Sequence, residues 1–437
     1  MELQNNLPGQ TVRMNSESKD AKTEATDKQA DFEEAISAAG YGRFHYILYL
    51  AIIPISWASV LDTSTASMIV PAAGCDLDLT FLRKGVLNAV VYAGMISSAF
   101  LWGFIADTFG RKPLVFYGYL LDAILNMFSG FSQNFFVLAA FKFACGFIVS
   151  GPYASIMTYC AEFHRAKDRP KITMWIGFFM SFGSIIGAAL ALLIIPGEWS
   201  LFLGSVQLHS WQIYLAVCSL PVFFGVFCIG FFPESPKFLM SQGHNEEALK
   251  VFRQIHKINS KKGETSFTIE ALKSEVPTKT IENEKRLTAE IGKYEPNPKS
   301  LRLRIREGLI QMKPLISDSY FLKLLLILTI QFCGMSCMNT IRLWQPQLFS
   351  MLSEPKDDNF PIEDVPFCEI IDYSISAKAN ESMEIANNYG SDFVCVRKPV
   401  DGMVYINTII ISSSVLVFAV LGGLFSGTMN LKYLLCE

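Results

Sequence analysis

Charge is scarce in this sequence. Asp, Glu, Lys and Arg together make up 18% of the 437 residues, while 51% are hydrophobic, and the mean hydropathy is +0.31. That balance excludes an ordinary soluble globule and fits a chain that crosses a bilayer repeatedly. An excess of basic residues is also missing. The net charge of -3 gives no electrostatic footprint for nucleic acid, so no nucleic-acid partner is expected. The five histidines form no cluster and the ten cysteines no CxxC pair, so neither a metal site nor a cofactor is expected. No phosphate loop and no nucleophile–base pair stands in a segment large enough to hold an active site, which argues against an enzyme. Ser205 and His209 are scattered, without visible partners. A cleavable signal peptide is lacking too, so the first membrane helix is expected to act as its own insertion signal.

What is there is a series of long apolar runs. They fall at about 44–70, 85–106, 113–131, 134–160, 172–195 and 209–232, then at about 321–346 and 404–427. Each is close to the ~20 residues that span a bilayer as a helix, the state in which lipid-exposed backbone satisfies itself. The expected division is therefore a cytoplasmic tail at 1–43 and a six-helix bundle at 44–232. A cytoplasmic loop at 233–320, a seventh helix at 321–346, an outer loop at 347–403, and an eighth helix with the C-terminus at 404–437 follow. Residues 31–43 carry helical spacing for a short amphipathic helix at the membrane face. Short loops at 107–112 and 161–171 hold Arg111, Lys112, Arg165, Lys167, Arg169 and Lys171, whereas 132–133 and 196–208 hold no Lys or Arg. Arg83 and Lys84 in the first outer loop are the exception. The bias places the N-terminus in the cytosol. The same count puts the sequon Asn380-Glu381-Ser382 outside, where Asn380 can be glycosylated and the flanking Cys368 and Cys395 can form a disulfide. Most other cysteines lie in apolar runs as small core residues.

Residues 103–112 read Gly-Phe-Ile-Ala-Asp-Thr-Phe-Gly-Arg-Lys and are expected to make a tight cytoplasmic turn. Gly103 permits close approach of backbones, Asp107 can cap or pair, Gly110 permits positive φ, and Arg111 and Lys112 hold the turn inside. The stretch resembles the G-x-x-x-D-[RK]-x-G-[RK]-[RK] loop of the major facilitator superfamily, with Thr108 in place of the usual cation. After the sixth run, Pro233-Glu234-Ser235-Pro236-Lys237-Phe238-Leu239 resembles the P-E-S-P-[RK]-[WFY]-L motif of sugar porters, organic ion transporters and the synaptic vesicle glycoprotein 2 group. Gly423, Thr428 and Lys432 faintly repeat Gly103, Thr108 and Lys112. Together with Gly40-Tyr41-Gly42-Arg43-Phe44, Cys75-Asp76-Leu77 and Glu162-Phe163, these residues make the chain similar to synaptic vesicle glycoprotein 2-like, organic ion transporter-related members of that superfamily. The resemblance implies an all-α membrane protein. Its bundle would have a complete six-helix N-terminal half and two helices of a truncated C-terminal half.

Ionisable residues inside apolar runs are costly and mark function or a partner. Asp62 in the first helix and Lys142 in the fourth are expected to form a buried pair on the substrate path, and Asp62 to carry a proton or attract a cation. The alternative is a structural pair. Asp122 in the third helix is read as structural or interfacial. Tyr92, Trp175, Gln331 and Trp344 are candidate cavity residues, and Arg342 a reader of anions or a snorkelling cation. Asp107, Arg111, Glu162, Arg169 and Glu234, with Gly103, Gly110 and Lys112, form a candidate cytoplasmic gate, in which Arg111 and Arg169 reach Glu234. The resemblance implies a secondary transporter of a small organic solute, coupled to a proton or other ion, in the plasma membrane or an intracellular vesicle membrane. The alternative is a non-transporting, truncated relative that acts by binding partners.

Overall fold

The computed structural model of the chain describes residues 29–260 apart from 198, 204 and 205, then 267–273, 318–353, a few positions between 366 and 376, and 400–425. Helix α1 (Phe32–Ala39) opens with a capping box. The Asp31 carboxylate accepts from Glu34 N at 2.8 Å and the Glu34 carboxylate from Asp31 N at 2.9 Å, which satisfies two donors that a helix start leaves open. Gly40, at φ +72°, ends it, so the expected 31–43 helix is shorter than its pattern suggested.

Six long helices follow: α2 (Arg43–Ile69), α3 (Phe81–Phe109), α4 (Arg111–Ser129), α5 (Phe135–Glu162), α6 (Arg169–Ile194) and α7 (Ser210–Gly230). By length and composition α2, α5, α6 and α7 can each cross a membrane. At 1.5 Å per residue, the 29 residues of α3 and the 19 of α4 extend roughly 43 and 28 Å, long enough or nearly long enough to cross a bilayer core of about 30 Å. Short helices α8 (Pro236–Ser241) and α9 (Asn245–Asn259) then run across one end of the bundle, with α9 against α1. Helix α10 (Asp318–Ser353) is long enough to span as well, and α11 (Met403–Phe425) packs against α6. The parallel pair β1 (Gln29–Ala30) with β4 (Ala271–Leu272) ties the start of the described chain to the segment after α9.

Several boundaries differ from expectation. The 103–112 stretch is not a loop: α3 runs through Phe109 and α4 starts at Arg111, so Gly110 alone makes the turn, at φ +96°. Arg83 and Lys84 belong to α3, capped by Thr80, rather than to an outer loop. The 196–208 connection contains an antiparallel hairpin, β2 (Ser200–Leu203) with β3 (Val206–His209). Helix α10 passes Pro346 and overruns the expected 321–346.

Packing inside the bundle is mainly α3 on α5, α4 on α5 and α7, and α2 on α6 and α7. The α3–α5 crossing is closest at Gly94 and Gly146, where a Cβ on either would collide with the other helix's backbone. Lipid offers no hydrophobic drive for helix pairing, so such close approach supplies dispersion contact. Two buried apolar clusters result. One, around Phe44, Phe163 and Phe252, lies at the Gly110 end; the other, around Ile69, Trp211 and Tyr405, lies at the opposite end. A polar layer separates them.

Candidate functional site

That layer is built from α2, α4 and α5. Asp62, Asp122 and Lys142 are 2%, 0% and 0% exposed. Helical spacing puts Thr65 one turn from Asp62 and Asn126 one turn from Asp122, so each pair shares a face. Asn126 is the hub. Its Nδ2 donates to Asp62 Oδ1 at 2.5 Å and to Asp122 Oδ1 at 3.3 Å, and its Oδ1 accepts from Lys142 Nζ at 2.9 Å. Lys142 Nζ also donates to Thr65 Oγ1 at 3.0 Å. The expected direct Asp62–Lys142 pair is thus replaced by a bridged one, because the amide of Asn126 stands between acid and base. Bare ions taken out of water cost several kcal/mol each, and the bridge answers part of that cost with hydrogen bonds. Next to it lies a cavity of about 10 Å³, lined by Asp62, Thr65, Asn126 and Ser219 among others. It holds one water at most and no solute.

The Gly110 end carries the second polar constellation. Arg111 reaches Glu162 with Nε–Oε1 at 3.8 Å, donates from an Nη to the Ala106 carbonyl at 2.7 Å, and lies 5.5 Å over the Phe238 ring. Glu234 accepts from the backbone N–H groups of Lys112 at 3.0 Å and Ser235 at 2.8 Å. Lys112 Nζ donates to the Gly230 carbonyl at 3.1 Å. A Cβ at Gly110 would lie 2.6 Å from Glu234 Oε2, so glycine is required there for space as well as for φ. Arg169 does not turn to Glu234 as expected. It pairs with Glu33 of α1 at 2.8 Å and lies 5.6 Å over Phe32, because α1 is folded under the α5–α6 connection. Gly103 faces open space, and the Asp107 side chain lies outside the described residues. In the same connection His164 is buried. It accepts at Nε2 from the Tyr49 hydroxyl at 2.7 Å and donates from Nδ1 to the Cys160 carbonyl at 2.7 Å. Burial lowers its pKa to about 4, against the opposing pull of the Cys160 carbonyl.

The four candidate cavity residues do not converge. Tyr92 donates from its hydroxyl to Asn339 Oδ1 at 3.1 Å, and Trp344 stacks on Phe81 at 5.0 Å. With Asn88 Nδ2 on the Leu343 carbonyl and Lys84 Nζ on Gln347 Oε1, both at 3.3 Å, they form a polar seam between α3 and α10. Gln331 is exposed on α10. Trp175 lines a separate groove of about 590 Å³ between α2 and α6, with Tyr41, Tyr49, Arg165 and Lys171. Arg342 reaches Ser184 Oγ at 3.5 Å. Asn380 and Cys395 lie outside the described residues. Cys368 is a free thiol, so the expected Cys368–Cys395 bond does not form; among the described residues, the disulfide-bonded cysteine is Cys75, at the opposite end from Gly110.

Sequence reading missed Asn126 altogether and discounted Asp122. The signal was present: the two are four residues apart in one apolar run, and Asp62-Thr63-Ser64-Thr65 is a polar run inside another.

Residues 21–353 match the family described as "Sugar (and other) transporter". Among curated proteins, the chain is 31% identical over 248 residues to synaptic vesicle glycoprotein 2B of Rattus norvegicus, covering 56% of this chain and 36% of that protein. It is 30% identical over 240 residues to synaptic vesicle glycoprotein 2A of Homo sapiens, covering 54% and 32%. These matches therefore span about a third of each relative's length. Among solved structures, a proton:xylose symporter bound to 6-bromo-6-deoxy-D-glucose superposes with a TM-score of 0.51 at 16% identity, covering 86% of this chain and 79% of that one. A D-xylose-proton symporter gives 0.50 at 14%, covering 89% and 70%. At such identities the likeness is one of fold. The chain belongs to the sugar (and other) transporter family of the major facilitator superfamily, is related to synaptic vesicle glycoprotein 2, and is a multi-pass membrane protein and not an enzyme.

Proposed function

We propose that this bundle moves a small organic solute by alternating access, coupled to a proton through the Asp62–Asn126–Lys142 network. The observation that carries the reading is the network itself: charged groups sealed in the middle of an apolar bundle, where they cost stability, yet linked through one amide. Asp62 would take the proton and Lys142 would respond to its charge. The solved structures that share this fold include a proton:xylose symporter and a D-xylose-proton symporter, which makes a sugar-sized solute and a proton the first to test.

In this reading the Gly110 end faces the cytosol, as the cation bias indicates. Gly103, Asp107, Gly110, Arg111, Lys112, Glu162, Arg169 and Glu234 serve its gate. Arg111 and Glu162 hold α4 to α5 at this end, while Lys112 and Glu234 hold α4 to the start of α8. The groove beside Trp175 has the volume of a small-solute site and lies at the same end. The seam of α3 with α10, including Tyr92 and Trp344, closes the other end. Gln331 lies along the same α10 and would meet the path when the seam opens.

The test is uptake by the purified full chain in proteoliposomes under an inward proton gradient, with labelled D-xylose and a panel of hexoses and organic cations. Wild type should accumulate at least one of them, and Asp62→Asn should lose gradient-driven accumulation. A folded wild-type protein that moves neither solute nor protons in any arm would overturn the reading.

A further inference from the structure

The buried layer is one positive charge short. Asp62, Asp122 and Lys142 bring two carboxyl groups and one ammonium together in apolar surroundings. Among the described residues, the other titratable groups facing them from the packed helices are Tyr119 on α4, Cys145 on α5 and Cys218 on α7. None of these carries positive charge. An unbalanced anion this deep is costly enough that its site takes up a proton or a counter-ion instead.

The hydrogen bonds locate the deficit. Asn126 serves Oδ1 of both acids, but Asp62 Oδ2 and Asp122 Oδ2 are buried and meet no donor. Lys142 spends donors on Asn126 and Thr65. One carboxyl oxygen of Asp62, one of Asp122 and the Cys145 Sγ all lie within 4.8 Å of one another. Two carboxylates in one site cannot both ionise freely; a single proton between them turns the repulsion into a hydrogen bond. A hard metal ion fits less well. The third potential ligand is a thiol, the Lys142 ammonium stands in the same network, and the adjoining cavity is only about 10 Å³.

We propose that Asp122 and Asp62 share one bound proton at neutral pH, with Asp122 as the second proton-holding carboxyl of the layer. The proton comes from water and adds to one carboxylate oxygen; no other bond changes. Asp122 is then a proton site rather than a structural filler. Its use in coupling rests on the transport reading above, whereas its occupancy does not.

Infrared spectroscopy of the full chain in lipid nanodiscs, without solute, reads the proton directly. The wild-type minus Asp122→Asn difference at neutral pH should show a neutral-carboxyl C=O stretch that shifts in heavy water. The same band should persist in Glu162→Gln, the control for the other buried acid. Asp122→Asn mimics the protonated group in shape, and if it fails to fold, titration of the wild-type band with rising pH decides the matter alone: one neutral carboxyl should disappear. Absence of the band in folded wild type, its survival undiminished in Asp122→Asn, or its loss on adding sodium at fixed pH would each overturn the proposal, the last by showing that a cation fills the deficit. The band present with no solute uptake would defeat the transport reading and leave the proton site standing. Uptake with no band would do the reverse.

Discussion

At the scale of single residues, the fate of the structure turns on groups whose partners are few. Lys142 is the one positive charge among the described residues of the central layer. Lys142→Met leaves two acids facing each other and strips Asn126 Oδ1 and Thr65 Oγ1 of their donor. Breaking one side of a buried ionic network typically costs about 3–5 kcal/mol. A clear fall in Tm is expected in detergent, and Asp62→Asn added to Lys142→Met should recover a large part of it, since the orphaned charge is then gone. His164 makes a second, pH-dependent prediction. Its folded pKa of about 4 lies below the ordinary 6.5, so between those values the unfolded chain binds the extra proton. Its stabilising share is complete above about pH 6.5 and is lost as pH falls towards 4, on the order of 3 kcal/mol in total. The groups around it are Tyr49, His45, Tyr41, Asp168 and Arg169. His164→Gln should flatten the acid limb of a Tm-versus-pH curve; an unchanged limb would assign it to other groups.

At the scale of helices, close approach matters more than apolar area. Gly146→Leu should separate α3 from α5, lower stability by about 1–3 kcal/mol or more, and appear as a lower Tm. Gly177→Ala, on a face of α6 with nothing within 4 Å, should change little. This is also the level at which sequence reading fared best and then failed. The apolar runs from 44 to 232 became helices near their expected places, because a long run in lipid has no other way to satisfy its backbone. Their ends moved. Gly103 to Phe109 read as a turn for their polar letters, yet helix continues there, since Gly110 alone can reverse the chain at φ +96°. The α1 helix was legible from its spacing, but its hold on Arg169 was not, because the contact joins residues 136 apart. Asp62 and Lys142 were visible as lone charges in apolar runs. Asn126, the residue that joins them, is uncharged and raised no such flag, so the site could be sensed from sequence but not assembled.

At the scale of the whole molecule, the described contacts hold the six-helix set to α10 and α11 by unlike means. Helix α11 lies along α6 and buries Tyr405 in the apolar cluster there, with its hydroxyl on the Met68 carbonyl at 3.2 Å. Helix α10 packs on α2 and α11 and meets α3 through the Phe81–Trp344 stack and a row of polar groups, and polar groups can let go. In the alternating access proposed above, this seam would open in each cycle. Asn88→Cys with Leu343→Cys, joined by a short thiol cross-linker, should abolish solute uptake in proteoliposomes and regain it when the linker is cleaved. Full uptake by the cross-linked protein would mean that the seam is a fixed joint.

The spacing of that seam restricts how it can move. Its contributors stand at 84, 88 and 92 on one helix and at 347, 343 and 339 on the other, always four apart. Such teeth mesh like a vernier with a step of four residues, roughly 6 Å along the axis. Creeping by a single residue would swing the side-chain partners Gln347 and Asn339 off the shared edge and leave Asn88 only a backbone carbonyl to hold, so the two rods are favoured to disengage together or to jump a whole notch.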